Sequence, residues 1–240
     1  MGTEQAGLAE VVAETMVAVE TIARALHVRD ARLEPTLDAI VTNAAAAHPA
    51  ADDAGVTLLI RGKLVPQATT GRPAQILDLR QQETGEGPCV EAASRQTVIC
   101  IADTGEDARW PGFCAAARAC GVRSMLCAPL WIDEGCMGTL TLYSQQAGAF
   151  GPPDVRLIEL FAALAALSLA EAQRTAHLRE AMVNRDLIGQ AKGILMERYK
   201  IGAEDAFAML ARASQDLNLK LAAIARHLTE TGELLGPVAT

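Results

Sequence analysis

Aromatic side chains are scarce in this chain: eight Phe, Trp and Tyr residues among 240, or 3%. Four histidines and four lysines are equally sparse, and no Cys-x-x-Cys pair occurs. The longest strongly apolar, charge-free run, Leu160 to Ala170, is far short of the ~20 residues that a bilayer-crossing helix needs. The first residues lack a basic cluster, and Glu10, Glu14 and Glu20 interrupt their apolar stretch, so they read as an amphipathic helix rather than a signal peptide. No membrane partner and a cytoplasmic location are the expectation. Six cysteines in 240 residues are too few for a disulfide scaffold. A basic excess is missing too: 21 Lys and Arg face 29 Asp and Glu, a formal charge of −8 that argues against bulk attraction for nucleic acid.

What is present is ample apolar content, 50% of residues, enough for one large or two modest globular domains. Charge divides unevenly along the chain. Residues 1–170 hold 12 Lys and Arg against 20 Asp and Glu, whereas residues 171–240 hold nine of each. The acidic excess therefore belongs to the first part, and contact of the second part with nucleic acid would depend on placed cations. Cys89, Cys100, Cys114, Cys120, Cys127 and Cys136 all fall in one stretch and suit reduced, mostly buried thiols.

Apolar periodicity supplies the elements. Leu8, Val12, Val19, Ile22 and Leu26 recur at helical spacing, and a second helix covers roughly Pro35 to His48. Val56–Ile60 and Leu64–Ala68 read as a hairpin, followed by a loop-rich stretch containing Gly71, Pro73, Gly85, Gly87 and Pro88. A short helix from Cys89 to Arg95, a strand at Thr97–Ala102, a helix at Ala108–Ala119 and strands at Ser124–Ile132 and Cys136–Ser144 complete an α+β domain. From Asp154, read as an N-cap, to about Lys200 the pattern is helical without a proline, ~70 Å if unbroken. Leu157, Leu160, Leu164 and Leu167 form a coiled-coil-like seam on it. With Val12, Val19, Ile22 and Leu26 that seam makes a homodimer interface; the purely structural alternative is that both stripes pack on the domain's own sheet. Two further helices, Ala203 to about Gln215 and Leu219 to about Thr229, can close with Phe207, Leu210, Leu221, Ile224 and Leu228 on Leu187, Ile188, Ala191 and Leu195.

The run Gln190-Ala191-Lys192-Gly193-Ile194-Leu195-Met196, then Ala206-Phe207 with Leu210 and Ala213, then Leu221-Ala222-Ala223-Ile224-Ala225, closely resembles the ANTAR family of RNA-binding transcription antiterminators. The resemblance implies binding of hairpin RNA in nascent transcripts, usually as a dimer. On a helix, Arg185, Gly189, Lys192 and Met196 share a stripe turned away from Ile188, Ala191 and Leu195, and Gly189 with Gly193 leaves the backbone open to close approach. Candidate RNA contacts are Arg185, Gly189, Gln190, Lys192, Gly193, Met196, Arg198, Tyr199, Arg212 and Lys220. The plainer reading is a solvated helix face with Gly193 serving helix packing.

Residues Gly85-Glu86-Gly87-Pro88-Cys89, Asp103, Arg109-Trp110-Pro111, Gly121 to Leu130 and Gly138 to Ser144 resemble a GAF domain. The resemblance implies a central antiparallel sheet flanked by helices, joined by the long helix to a three-helix ANTAR module. The expected division is a dimerisation helix at 1–29, GAF at 30–170 and ANTAR at 171–240, with the connector starting near 154. GAF domains sense varied small molecules, so the fold alone does not name the ligand. Cys89, Asp103, Trp110, Arg123 and Ser124 are the candidate pocket residues, for an unknown small-molecule effector or a redox signal. No cofactor is evident: His27 and His48 are poorly placed for haem, no Cys-His pair suits a bilin, and the cysteine spacing is poor for a metal. Two alternatives remain, a GAF-fold thiol enzyme reducing free methionine sulfoxide through Cys89 and Cys120, and a ligand sensor acting only through protein partners.

Overall fold

The computed structural model describes residues 32–132 and 135–235. The stripe Val12, Val19, Ile22 and Leu26 lies outside the described residues. The chain divides into two compact units, with the boundary between Gln173 and Arg174.

In the first unit, helix α1 (Leu33–Ala47) leads into strands β1 (Asp53–Ile60) and β2 (Lys63–Thr69). Helices α2 (Arg72–Thr84) and α3 (Pro88–Arg95), strand β3 (Ile99–Ile101), helix α4 (Pro111–Ala119), and strands β4 (Ser124–Ile132) and β5 (Gly135–Ser144) follow. The five strands form one antiparallel sheet in the order β2-β1-β5-β4-β3. Strand alternation sorts the side chains onto two faces. Leu126, Ala128 and Leu130 of β4, Leu140 and Leu142 of β5, and Val56 and Leu58 of β1 pack with α1 and the start of the long helix α5 (Pro152–Tyr199). Met125 and Cys127 of β4, Tyr143 of β5, and Ile99 and Ile101 of β3 face the other way, onto α2, α3 and α4. Fully burying each large apolar side chain contributes about 1.5–3 kcal/mol, so the two packed faces are the main source of stability.

The stretch expected to be loop-rich holds α2. Its composition is polar, and its helical signal reduces to one buried stripe, Ala74, Leu77, Asp78 and Gln81, at offsets of three, four and seven. Two of those four are hydrophilic, which masks the period. Asp154 is also corrected: it is not the N-cap but the third helical residue after Pro152 and Pro153, and its carboxylate accepts the N–H of Gly151 at 2.9 Å. This is the side-chain half of a capping box, with the acidic residue reaching back to the residue before the helix.

On α5, Ile158, Phe161, Ala162, Ala165, Ala166 and Leu169 are the residues buried against the sheet. Leu157, Leu160 and Leu164 flank that face and are half-buried, while Leu167 is 60% exposed. The second unit closes the end of α5 with α6 (Ala203–Leu217) and α7 (Leu221–Thr231) around Ala191, Leu195, Ala206, Leu210, Ala213, Ile224, Ala225 and Leu228. Phe207 is 44% exposed, contrary to the expectation that it closes the bundle. The inward face of α6 runs through Ala206, Leu210 and Ala213, and Phe207, one residue on from Ala206, is turned by about 100° from it.

Candidate functional site

The inner face of the first unit carries a polar cluster in place of a uniform apolar filling. Cys127 and Thr141 are direct cross-strand partners on β4 and β5, and Thr141 Oγ1 donates to Cys127 Sγ at 3.3 Å. The same hydroxyl lies 3.2 Å from Cys89 Sγ at the start of α3. Gln81 of α2 clamps Cys89 twice: its Nε2 donates to Sγ at 3.1 Å, and its Oε1 accepts the Cys89 N–H at 2.8 Å. Beside it, the hydroxyl of Tyr143 donates to Asp78 Oδ1, while Asp78 Oδ2 is buried without a partner. Thr57 and Thr139 hydrogen-bond across β1 and β5 at 2.6 Å. All eight of these side chains are buried.

Two glycines make room for this arrangement. A Cβ on Gly55 would stand 2.3 Å from Asp78 Oδ2, and one on Gly87 would stand 2.5 Å from Gln81 Oε1, with Gly87 at a φ of +139°. Burial pushes the Asp78 carboxyl well above the usual range, reinforced by charge on Cys89. Hydrogen bonding from the Cys127 thiol lowers Cys89 to about 7 against the opposing effect of burial, with Thr141 and Gln81 assisting. Burial and the neighbouring Cys89 push Cys127 the other way, well above the thiol range. The cluster therefore accommodates one thiolate beside one thiol.

Of the pocket residues expected from sequence, Cys89 alone belongs to this cluster. Asp103 and Arg123 form an ion pair at 2.7 Å that holds the Asp103 carboxyl below its usual range. Ser124 next to them donates to the Gln146 carbonyl at 2.7 Å. Trp110, half-buried at the N-cap of α4, lies under the Arg109 guanidinium, 4.6 Å from ring centre to cation. None of the five lines the cleft of about 480 Å³ between the β1–β2 hairpin and helices α2 and α3, whose walls include Leu59, Leu64, Gln81, Val90 and Ala93. Sequence reasoning does not find Asp78, Gln81, Cys127 and Thr141 as site residues. No spacing signal links positions so far apart, and the helix carrying the first two reads as loop. Cys120, the expected partner of Cys89 in a thiol enzyme, is half-buried at the C-cap of α4 and is not among the groups bonded to Cys89. Among the described residues no cluster of three His, Cys, Asp or Glu could hold a metal, and no helix is long and apolar enough to cross a membrane.

In the second unit, Arg185, Gly189 and Met196 are exposed along one side of α5 and Lys192 is half-buried beside them. A shallow groove is lined by Gln190, Gly193, Ile194, Glu197 and Arg198 of α5 and Thr229 of α7. A Cβ built on Gly189 or Gly193 meets nothing within 4 Å. Arg198 donates to the Gly232 carbonyl at 2.6 Å, at the end of α7. Tyr199, Arg212 and Lys220 are exposed, and Lys220 is the N-cap of α7.

Residues 18–169 match the GAF domain family, and residues 176–228 match the ANTAR domain family. The chain belongs to the GAF family and continues into an ANTAR domain. No curated protein is similar enough to be matched. Among solved structures, the GAF domain from an Acinetobacter phosphoenolpyruvate-protein phosphotransferase is similar at 16% identity and a TM-score of 0.53, covering 68% of this chain and 96% of that one. The corresponding domain from Coxiella burnetii gives 19% identity, a TM-score of 0.53 and the same coverage. A free methionine-R-sulfoxide reductase from Neisseria meningitidis, solved with its substrate, gives 17% identity and a TM-score of 0.52, covering 66% of this chain and 89% of that one. At such identities the likeness is one of fold.

Within the ANTAR domain most of the expected RNA contacts divide into two sets. Arg185, Gly189, Lys192, Met196 and Tyr199 follow one side of α5, Gln190, Gly193 and Arg198 line the groove toward α7, and the remaining two, Arg212 on α6 and Lys220 at the N-cap of α7, belong to neither set. Phe207 and Tyr199 are the two exposed aromatics of the domain's described residues.

Proposed function

We propose that this protein is a cytoplasmic, dimeric transcription antitermination regulator. Its GAF domain senses a small molecule or redox state, and its ANTAR domain binds hairpin RNA in nascent transcripts. The observation that carries the RNA half is the pair Gly189 and Gly193. They sit mid-helix, where glycine costs about 1 kcal/mol relative to alanine, and they make no packing contact that would require it. An open backbone beside Lys192 and Met196 fits a ligand that must approach closely. The same openness counts against the helix-packing explanation for Gly193. The dimer half rests on Leu167, which is left largely exposed on the sensor part of α5 beside a seam the domain covers only in part. The methionine-sulfoxide-reducing alternative loses support because Cys120, the partner it requires, is not among the groups bonded to Cys89.

Lys192→Glu tests the assignment directly. Affinity for hairpin RNA in a mobility-shift assay should fall by about tenfold or more through loss of a phosphate contact and gain of a like charge, while the thermal midpoint moves little. Unchanged affinity would remove Lys192 from the interface, and unfolding would show that the stripe faces inward. With balanced charge in the ANTAR segment, the salt dependence of binding should be shallow, reflecting a few phosphate contacts per domain.

A further inference from the structure

The buried thiols Cys89 and Cys127 have no part in RNA binding, and each makes polar contacts within the core that packing alone does not require. Both sulfurs approach one hydroxyl, Thr141 Oγ1, at 3.2 and 3.3 Å. A hydroxyl has one proton and can donate it to only one sulfur, so the second sulfur must keep its own hydrogen or find another donor. Gln81 Nε2, 3.1 Å from Cys89 Sγ, supplies that extra donor to Cys89 and none to Cys127. The arrangement is asymmetric: Cys89 has the Gln81 amide as a donor whichever sulfur takes the Thr141 proton, while Cys127 has Thr141 alone, so Cys127 is the sulfur that keeps its own proton when Cys89 ionises.

We propose that Cys89 and Cys127 form a reversible disulfide when a hydroperoxide oxidises the GAF domain, with Cys89 as the attacking sulfur and Cys127 as the resolving one. The Cys89 thiolate attacks one peroxide oxygen, the O–O bond breaks, and the departing hydroxide takes up a proton to leave as water, giving Cys89 sulfenic acid. Cys127 sulfur then attacks that sulfur, the S–O bond breaks, and a second water leaves with the Cys127 proton. Two thiols and one hydrogen peroxide give one disulfide and two waters, and a dithiol reductant reverses the change.

Cys89 is wholly buried, and the peroxide path is the Gln81 side chain. Gln81 forms part of the wall of the 480 Å³ cleft under the β1–β2 hairpin and also holds Cys89, so a turn of its amide away from Cys89 opens the thiol to the cleft. Gly87 leaves room for that amide, since a Cβ there would meet it at 2.5 Å. Disulfide formation breaks the sulfur's bonds to Gln81 and Thr141, and so loosens α2 and the start of α3 from the sheet. This deepens the redox half of the proposed function and rests on it only for its regulatory consequence.

The test uses the full chain, reduced and then treated with hydrogen peroxide, alkylated, digested and analysed by mass spectrometry. The expected product is a linked pair of peptides holding Cys89 and Cys127, lost on treatment with dithiothreitol, absent in Cys89→Ser and in the apolar replacement Cys127→Val, and retained in Cys120→Ser. Circular dichroism establishes that each variant is folded. The oxidation rate should rise with pH through about 7. Gln81→Leu should move that midpoint upward and slow the reaction near neutrality by about tenfold, a shift that a merely structural glutamine would not produce. Linkage of a different pair, or no linkage after peroxide has oxidised the half-buried Cys120, overturns the proposal. If neither the oxidised nor the reduced chain binds hairpin RNA, the antiterminator reading fails while the disulfide assignment stands.

Discussion

A chain carrying Gly189→Ala and Gly193→Ala should melt at a higher temperature than the parent and bind hairpin RNA about tenfold more weakly. The two effects have separate origins. Each added methyl enters open space, since nothing lies within 4 Å of a Cβ at either position, and each replaces the poorest ordinary helix former by the best. About 0.5–1 kcal/mol per site follows, and a 67-residue unit should gain several degrees in its thermal midpoint. RNA binding moves in the opposite direction because the methyls fill the approach to the backbone beside Lys192 and Met196. Calorimetry and a binding titration on one preparation read both. Higher stability with unchanged affinity would show that RNA does not approach there. Lower stability would mean that another chain packs against those glycines.

The second large effect is expected at Gly138, where alanine should destabilise the GAF domain by about 3–5 kcal/mol. Gly138 has a φ of +156°, and a Cβ there would lie 1.9 Å from the Thr57 carbonyl oxygen. The contact is with backbone, so no side-chain rotation relieves it. Gly138 stands opposite Leu58 on β1 and Leu130 on β4, next to the irregularity at which Met137 is the extra residue of β5. Relief would require β1 and β5 to separate in the centre of the sheet, where Thr57 and Thr139 are hydrogen-bonded. Since whole domains are stable by only ~5–15 kcal/mol, a loss of this size should lower the thermal midpoint by more than ten degrees. Gly62→Ala is the matched control: its φ is +80°, but nothing lies within 4 Å, so it should cost only about 1 kcal/mol. Equal effects at the two positions would show that the β1–β5 ladder yields more readily than its hydrogen bonds imply.

The long strands and the helix from Pro152 to Tyr199 are legible in the sequence because their signals are local. Ser124–Ile132 reads as a nearly continuous apolar run, and the long helix contains no proline after its first turn. Helix α2 is not legible, because Asp78 and Gln81 face inward and break the apolar period that would have revealed it. The same two residues explain why the sensor cluster escapes a reading of the sequence. Cys89 can be singled out from its place after Gly85-Glu86-Gly87-Pro88, but its partners come from α2, β4 and β5, and only the folded sheet brings Gln81, Cys127 and Thr141 to one sulfur. The ANTAR face is the opposite case. All its expected residues but Arg212 and Lys220 sit within about four turns of one helix, so helical geometry alone groups them, and Phe207 is the residue whose place differs.

The bond from Arg198 to the Gly232 carbonyl spans 34 residues and ties the last turn of α5 to the end of α7, where Leu234 and Leu235 also pack on the core. Amide exchange in those two turns should therefore be cooperative: when the carboxy-terminal turn opens, the turn that carries Met196 and Tyr199 loses protection with it. RNA held against Met196 and Tyr199 would slow exchange as far as residue 232, a turn it need not touch. The clasp lies four residues beyond the point where the family match ends at 228, so the cooperatively exchanging unit extends past that match.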